Sequence, residues 1–203
     1  MMASLRPYVT GAGLALGVLL ATSRDALACS IRQTPGRPRI GTLAYVRSLV
    51  AQADIVVRAR AVRYGEGEHY LIPPEVMTLG EGRAIEFAVI EVLTPGPAPK
   101  TLYIGGHLMT TDDFNRGGVP YLNVRREGQR GGCVASGYRA AGEFLLILRQ
   151  APKGYYTPYW AFLAPTNEQI RGARDPWLHW VRKELRKRVT QSVAPRRRVP
   201  NDR

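Results

Sequence analysis

The chain has 203 residues, a formal net charge of +13, 45% hydrophobic residues and two cysteines. That is enough for one ordinary domain with a real core. It excludes a disulfide-dense miniprotein and, with the apolar content evenly spread, a chain too polar to fold.

The first residues read as a secretory signal. Arg6 gives a positive start, Val9 to Ala21 form a short apolar run, and Ala26-Leu27-Ala28 is a small-x-small cleavage site. The run is too short and Gly-rich to favour a permanent span. An uncleaved anchor, or a lipoprotein acylated at Cys29, are the competing readings. Cleavage after Ala28 removes Arg6, Arg24 and Asp25 and leaves +12 on an exported chain that begins at Cys29. The location expected is periplasmic or extracellular, with no membrane span after cleavage. Such a charge suggests anionic partners, and export argues against nucleic acid. Residues 29–188 form the domain, and 189–203 are expected as a basic, disordered tail.

"SIRQTPGRPRIG" is too rich in Pro and Gly for helix and should run extended. "TLAYVRSLVAQ" places Leu43, Val46, Leu49 and Val50 at helical spacing. In "ADIVVRARAVRYG", Ile55, Val57, Ala59 and Ala61 alternate with Val56, Arg58, Arg60 and Val62, a strand with one apolar and one basic face. "GEGEHYLIPPEVMTLGEGR" reads as a loop. "AIEFAVIEVLTPG" is a second strand ended by Pro95-Gly96-Pro97, and "KTLYIGGHL" a third with Gly105-Gly106 allowing a bend. After the polar loop "MTTDDFNRGG" comes the segment carrying Cys133. "EFLLILRQ" suits a central strand and "GYYTPYWAFLA" a last one. "DPWLHWVRKELRKR" is a helix, with Asp175 as N-cap, Pro176 in first position, and Trp177, Leu178, Val181 and Leu185 on its buried side. The sum is a mainly β protein: a small, five-stranded OB-type barrel with a short N-terminal helix and a C-terminal amphipathic helix.

Catalytic chemistry is hard to find. His69, His107 and His179 stand apart and make no paired ligand motif, and no G-x-S-x-G elbow occurs. Asp112-Asp113 hints at a cation but reads better as a solvated loop pair. No cofactor and no resident metal are expected, and no enzyme is indicated. The arginines of "VVRARAVR" and "NVRREGQR" are candidates to meet anionic envelope polymers.

Cys29 and Cys133, about 100 residues apart, have neither zinc-finger nor C-x-x-C spacing. The economical reading is one disulfide, worth roughly 4–5 kcal/mol in the chain-entropy model; two free buried thiols are the alternative. A bonded Cys29 would pin the first mature residue to the body. Its α-amine and carbonyl oxygen would then be fixed side by side, able to chelate a metal at an open coordination position.

"CS" at the mature start, "ADIVVRARAV", "IEFAVIEVLTPG", a cysteine before "GYRAAGEFLLIL", and "FLAPTNEQIRG" stand in an order that resembles tissue inhibitors of metalloproteinases and, more broadly, netrin-like modules. The resemblance implies an OB-type barrel over most of residues 29 to 175. It would give Cys29 the role of chelating a partner protease's zinc and Ser30 that of entering its specificity pocket. It also matches Cys133 as the disulfide partner, with Gly132 and Val134 flanking an inhibitory ridge. The chain departs from the pattern: Ile31 stands where a second cysteine is usual, and the other disulfides and the cysteine-rich C-terminal subdomain are missing. The expectation is therefore an exported netrin-like binding module for a protein or an anionic polymer, with zinc metalloprotease inhibition as the alternative.

Overall fold

The computed structural model describes residues 36–66, 83–159 and 162–193. The expected signal segment 1–28, together with Cys29, Ser30 and His69, lies outside the described residues.

Helix α1 spans Leu43–Gln52, and the Thr42 hydroxyl caps it by accepting from the Tyr45 N–H at 3.3 Å. Its buried stripe is Tyr45, Val46, Leu49 and Val50. Strand β1, Ile55–Tyr64, pairs antiparallel with β2, Ala84–Val92, on one edge and with β6, Glu143–Gln150, on the other. The predicted alternation holds. Ile55, Val57, Ala59 and Ala61 are buried, while Arg58 and Arg60 lie on the other face.

Strand β3, Thr101–Gly105, continues the sheet beyond β2. The predicted bend falls at Gly106, which has φ 156; a Cβ there would sit 2.2 Å from the Ser136 carbonyl oxygen, so only glycine fits. The bend separates β4, His107–Met109, which pairs in parallel with β5, Gly137–Arg139. The far edge of β6 is shared. Strand β7, Tyr156–Pro158, pairs with its C-terminal half, and β8, Asn167–Ile170, with its N-terminal half.

The sheet order is β3-β2-β1-β6-β7, with β8 also on β6. The ladder is not closed: β3 and β7 approach each other but do not pair. The protein is thus mainly β, an antiparallel sheet with helices at both ends of the chain.

Two cores lie on opposite faces. One holds Ile85, Phe87, Ile104, Tyr138, Phe144 and Leu146 inside the curl of the sheet. The other joins Val56, Leu145 and Ile147 to α1 and to helix α2, Pro176–Val193. Strand β6 serves both, which explains its unbroken apolar run. Asp175 caps α2 as expected: its carboxylate accepts from the Trp177 N–H and the Arg171 N–H, each at 2.9 Å. Trp177, Leu178, Val181 and Leu185 are buried, and Trp177 stacks between Trp180 and Tyr121. The helix runs on to Val193, past the expected start of the tail at 189. No helix among the described residues is long and apolar enough to cross a membrane.

Candidate functional site

The chain between β4 and β5 is a long loop that buries Tyr121, Val124, Cys133, Val134 and Ala135. A set of buried polar groups centred on β8 also holds its shape. Strand β8 reads Asn-Glu-Gln-Ile, and all four residues are buried. Glu168 and Arg125 have no exposed surface at all.

The Glu168 carboxylate accepts from the backbone N–H of Arg125 and from the side-chain amide of Asn115, each at 2.9 Å. The Arg125 guanidinium donates to Asp113 at 3.0 Å and to the Asn167 carbonyl at 3.1 Å. Asp113 also accepts from the Glu127 N–H at 3.1 Å. The Asp113 N–H donates to the Gln169 side chain at 2.7 Å, and that side chain donates to Asp112 at 2.7 Å. Asn167 donates to the Tyr138 hydroxyl at 3.0 Å and to the Ala135 carbonyl. Asn115, Asp113, Arg125 and Ala135 of the loop are thereby fastened to one short strand.

Burial pushes the Glu168 carboxyl up to about 7, against the opposing pull of Arg125 and of the Asn115 hydrogen bond. Burial likewise pushes the Tyr138 hydroxyl up to about 12, against the Asn167 hydrogen bond.

The loop presents a wide π-type turn, Gly128–Gly132, followed by Cys133 with φ 59. This is where the expected ridge residues lie. Gly132 is exposed, and Cys133 and Val134 are buried just beneath it. The Cys133 carbonyl accepts from the Leu163 N–H at 2.5 Å, and the Leu163 carbonyl accepts from the Val124 N–H at 2.7 Å. Gly128 is closely overlaid, since a Cβ there would lie 2.8 Å from the Ala135 nitrogen and 2.9 Å from Val124. A Cβ on Gly132 would meet nothing within 4 Å. Among the described residues no cysteine is free. Cys29 and Ser30 stand outside those residues, so of the expected ridge residues only Gly132, Cys133 and Val134 are described.

Beside the turn runs a groove of about 390 Å³, lined by Asp112, Phe114, Arg126, Glu127, Arg130 and Arg171 among others. Arg171 lies over the Phe114 ring, 4.3 Å from its centroid.

Several sequence expectations change here. Arg125, read as a surface arginine for anionic polymers, is one of the largest fully buried side chains. Arg58 and Arg60 are both engaged by Glu143, at 2.8 and 2.9 Å. Asp113 is largely buried and anchors Arg125 and the Glu127 N–H, while Asp112 is exposed as expected and also accepts from Gln169. His107 sits in β4 and His179 on the exposed side of α2. Among the described residues no group of His, Cys, Asp and Glu could hold a metal ion.

A scan of family models gives no match for this chain, and a comparison with curated proteins gives none either.

Proposed function

We propose that the protein is an exported binding module of OB-type, netrin-like kind, periplasmic or extracellular, that engages a protein or an anionic polymer through the turn Gly128–Val134 and the groove beside it. The observation that carries this reading is the fixing of that loop by charged and polar side chains withdrawn from water. Placing a carboxylate and a guanidinium where neither is exposed costs several kcal/mol per ion before partners offset it. Such groups add little net stability. What they do add is a single loop conformation, which reduces the entropy lost when a partner docks. The role is recognition, and no residue is assigned to catalysis.

Gly132→Phe tests the reading, because the fold leaves room for a side chain there. With the immobilised protein as bait for envelope and extracellular fractions, a specific partner should be retained by the native chain. It should be lost from Gly132→Phe while thermal unfolding is unchanged. A partner held equally by both would overturn the assignment of the turn.

A second reading is supported by the position of Cys133 at the foot of the exposed Gly132, with no free cysteine among the described residues. A bond to Cys29 would hold the mature α-amine at this turn, where the Cys29 amine and carbonyl would chelate the zinc of a metalloprotease partner and Ser30 would enter its pocket. Intact mass of the exported chain should then show a start at Cys29 and two missing hydrogens. An alanine added before Cys29 should abolish inhibition of the target protease; inhibition that survives the extension rules the chelate out.

A further inference from the structure

Several arginines of α1, β1 and α2 are matched to carboxylates. Arg58 and Arg60 share Glu143, Arg63 takes Glu66 and Glu86, Arg182 takes Glu91, and Arg47 takes Glu184. Arg116, Arg126, Arg130 and Arg171 are brought together at one place. All four are exposed, all four line the groove beside the turn, and none has an ion-pair partner among the described residues.

Three carboxylates, Asp112, Asp113 and Glu127, also line the groove. Asp113 is bound by Arg125 and by the Glu127 N–H; Asp112 accepts from Gln169 and lies 3.8 Å from Arg139; Glu127 lies 4.0 Å from Arg125. Arg126 and Arg130 stand about one helical turn apart, on the same side of the turn. The groove therefore gathers four exposed guanidinium groups, against three carboxylates, on a concave surface that concentrates their field.

From this we infer that the groove is a binding site for a phosphoryl group, carried as a phosphate monoester or as inorganic phosphate. The inference rests on the reading of this face as a recognition surface and names its ligand chemistry. A carboxylate brings two oxygens and a single negative charge. A phosphoryl group offers three strong acceptors and about −1.5 to −2 charge near pH 7, enough to engage several forks at once. Arginine suits this because its donors are planar, fixed and always charged.

The purified chain would be titrated calorimetrically with inorganic phosphate and with acetate, and sedimented with phosphatidylcholine vesicles with and without phosphatidate. Phosphate should bind saturably, and acetate at least about tenfold more weakly. The double variant Arg126→Gln/Arg130→Gln should lose at least about tenfold in phosphate affinity. A control, Arg186→Gln/Lys187→Gln on α2, should keep it. Binding to phosphatidate vesicles alone, lost in the double variant, assigns the phosphate to a lipid headgroup; binding of free phosphate assigns a soluble source. Equal binding of acetate, equal loss in the control, or no binding on either arm overturns the inference. Partner capture that is still blocked by Gly132→Phe in that event would leave the recognition reading standing and sink the phosphoryl site alone.

Discussion

Arg125 turns two ways: its backbone N–H points to Glu168 at 2.9 Å while its guanidinium reaches back to Asp113 at 3.0 Å. One residue thus ties β8 to the β4–β5 loop at two places, Arg125 itself and Asp113. The turn that follows inherits its position from this double attachment.

Arg125→Met keeps the bulk of the side chain and removes its charge. It strands Glu168 and Asp113 without their cation, and breaking a buried pair in this way costs about 3–5 kcal/mol. Urea unfolding should show that loss. A change under about 1 kcal/mol would mean that water already reaches the cluster.

The pH response follows from Glu168. Its carboxyl is pushed up from 4.5 to about 7 in the folded chain, chiefly by burial. The sign is therefore that of a group favouring the protonated state on folding. Its contribution is full below pH 4.5 and is lost as pH rises through about 7. Glu143 has the opposite sign: burial raises its pKa, but Arg60 and Arg58 together outweigh burial and hold it below 4.5. Its contribution is lost only as pH falls beneath that value. Chemical unfolding from pH 4.5 to pH 7.5 should show a decline in stability, and the decline should be flattened in Glu168→Gln. A native profile that rises over the same interval would contradict the burial of the carboxyl.

The two glycines of the turn should behave differently. Gly128→Ala places a methyl group against the Ala135 nitrogen and Val124, and overpacking of this kind costs about 1–3 kcal/mol. Gly132→Ala meets open space and should change stability by less than about 0.5 kcal/mol. Thermal melts of the two variants side by side check the contrast. Equal melting temperatures would show that the turn yields freely.

Asp175→Ala removes acceptors from both Trp177 and Arg171. The expected loss is about 1–2 kcal/mol, at the upper end for a cap because the carboxylate is buried. Asp175→Asn should recover part of it. Denaturant midpoints of the three proteins measure both steps.

The parts of the fold that obey a period were legible in the sequence. Alternation in β1 and β2, the apolar run of β6 and the Asp-Pro start of α2 each state their structure locally. Strand β8 did not, because Asn167, Glu168 and Gln169 carry no hydrophobic pattern and are buried through partners far away in sequence, such as Tyr138, Arg125 and Asp112. Of the last predicted strand, "GYYTPYWAFLA", Tyr156–Pro158 form β7, and residues 160 and 161 lie outside the described residues. The turn around Cys133 follows from the resemblance, whereas the groove arginines are brought together only by the fold. Spacing along a chain cannot reveal which guanidinium has found a carboxylate.

The unclosed margin of the sheet has a consequence for how molecules of this protein meet one another. The outer rims of β3 and β7 border a shared gap of about 270 Å³, flanked by Tyr103, Lys153, Tyr155 and Tyr156. Each rim faces the other rather than open solvent, so a neighbouring molecule finds no long, flat ladder to extend. The sheet is spared fibril-like growth without the full ring of hydrogen bonds that a sealed cylinder would require.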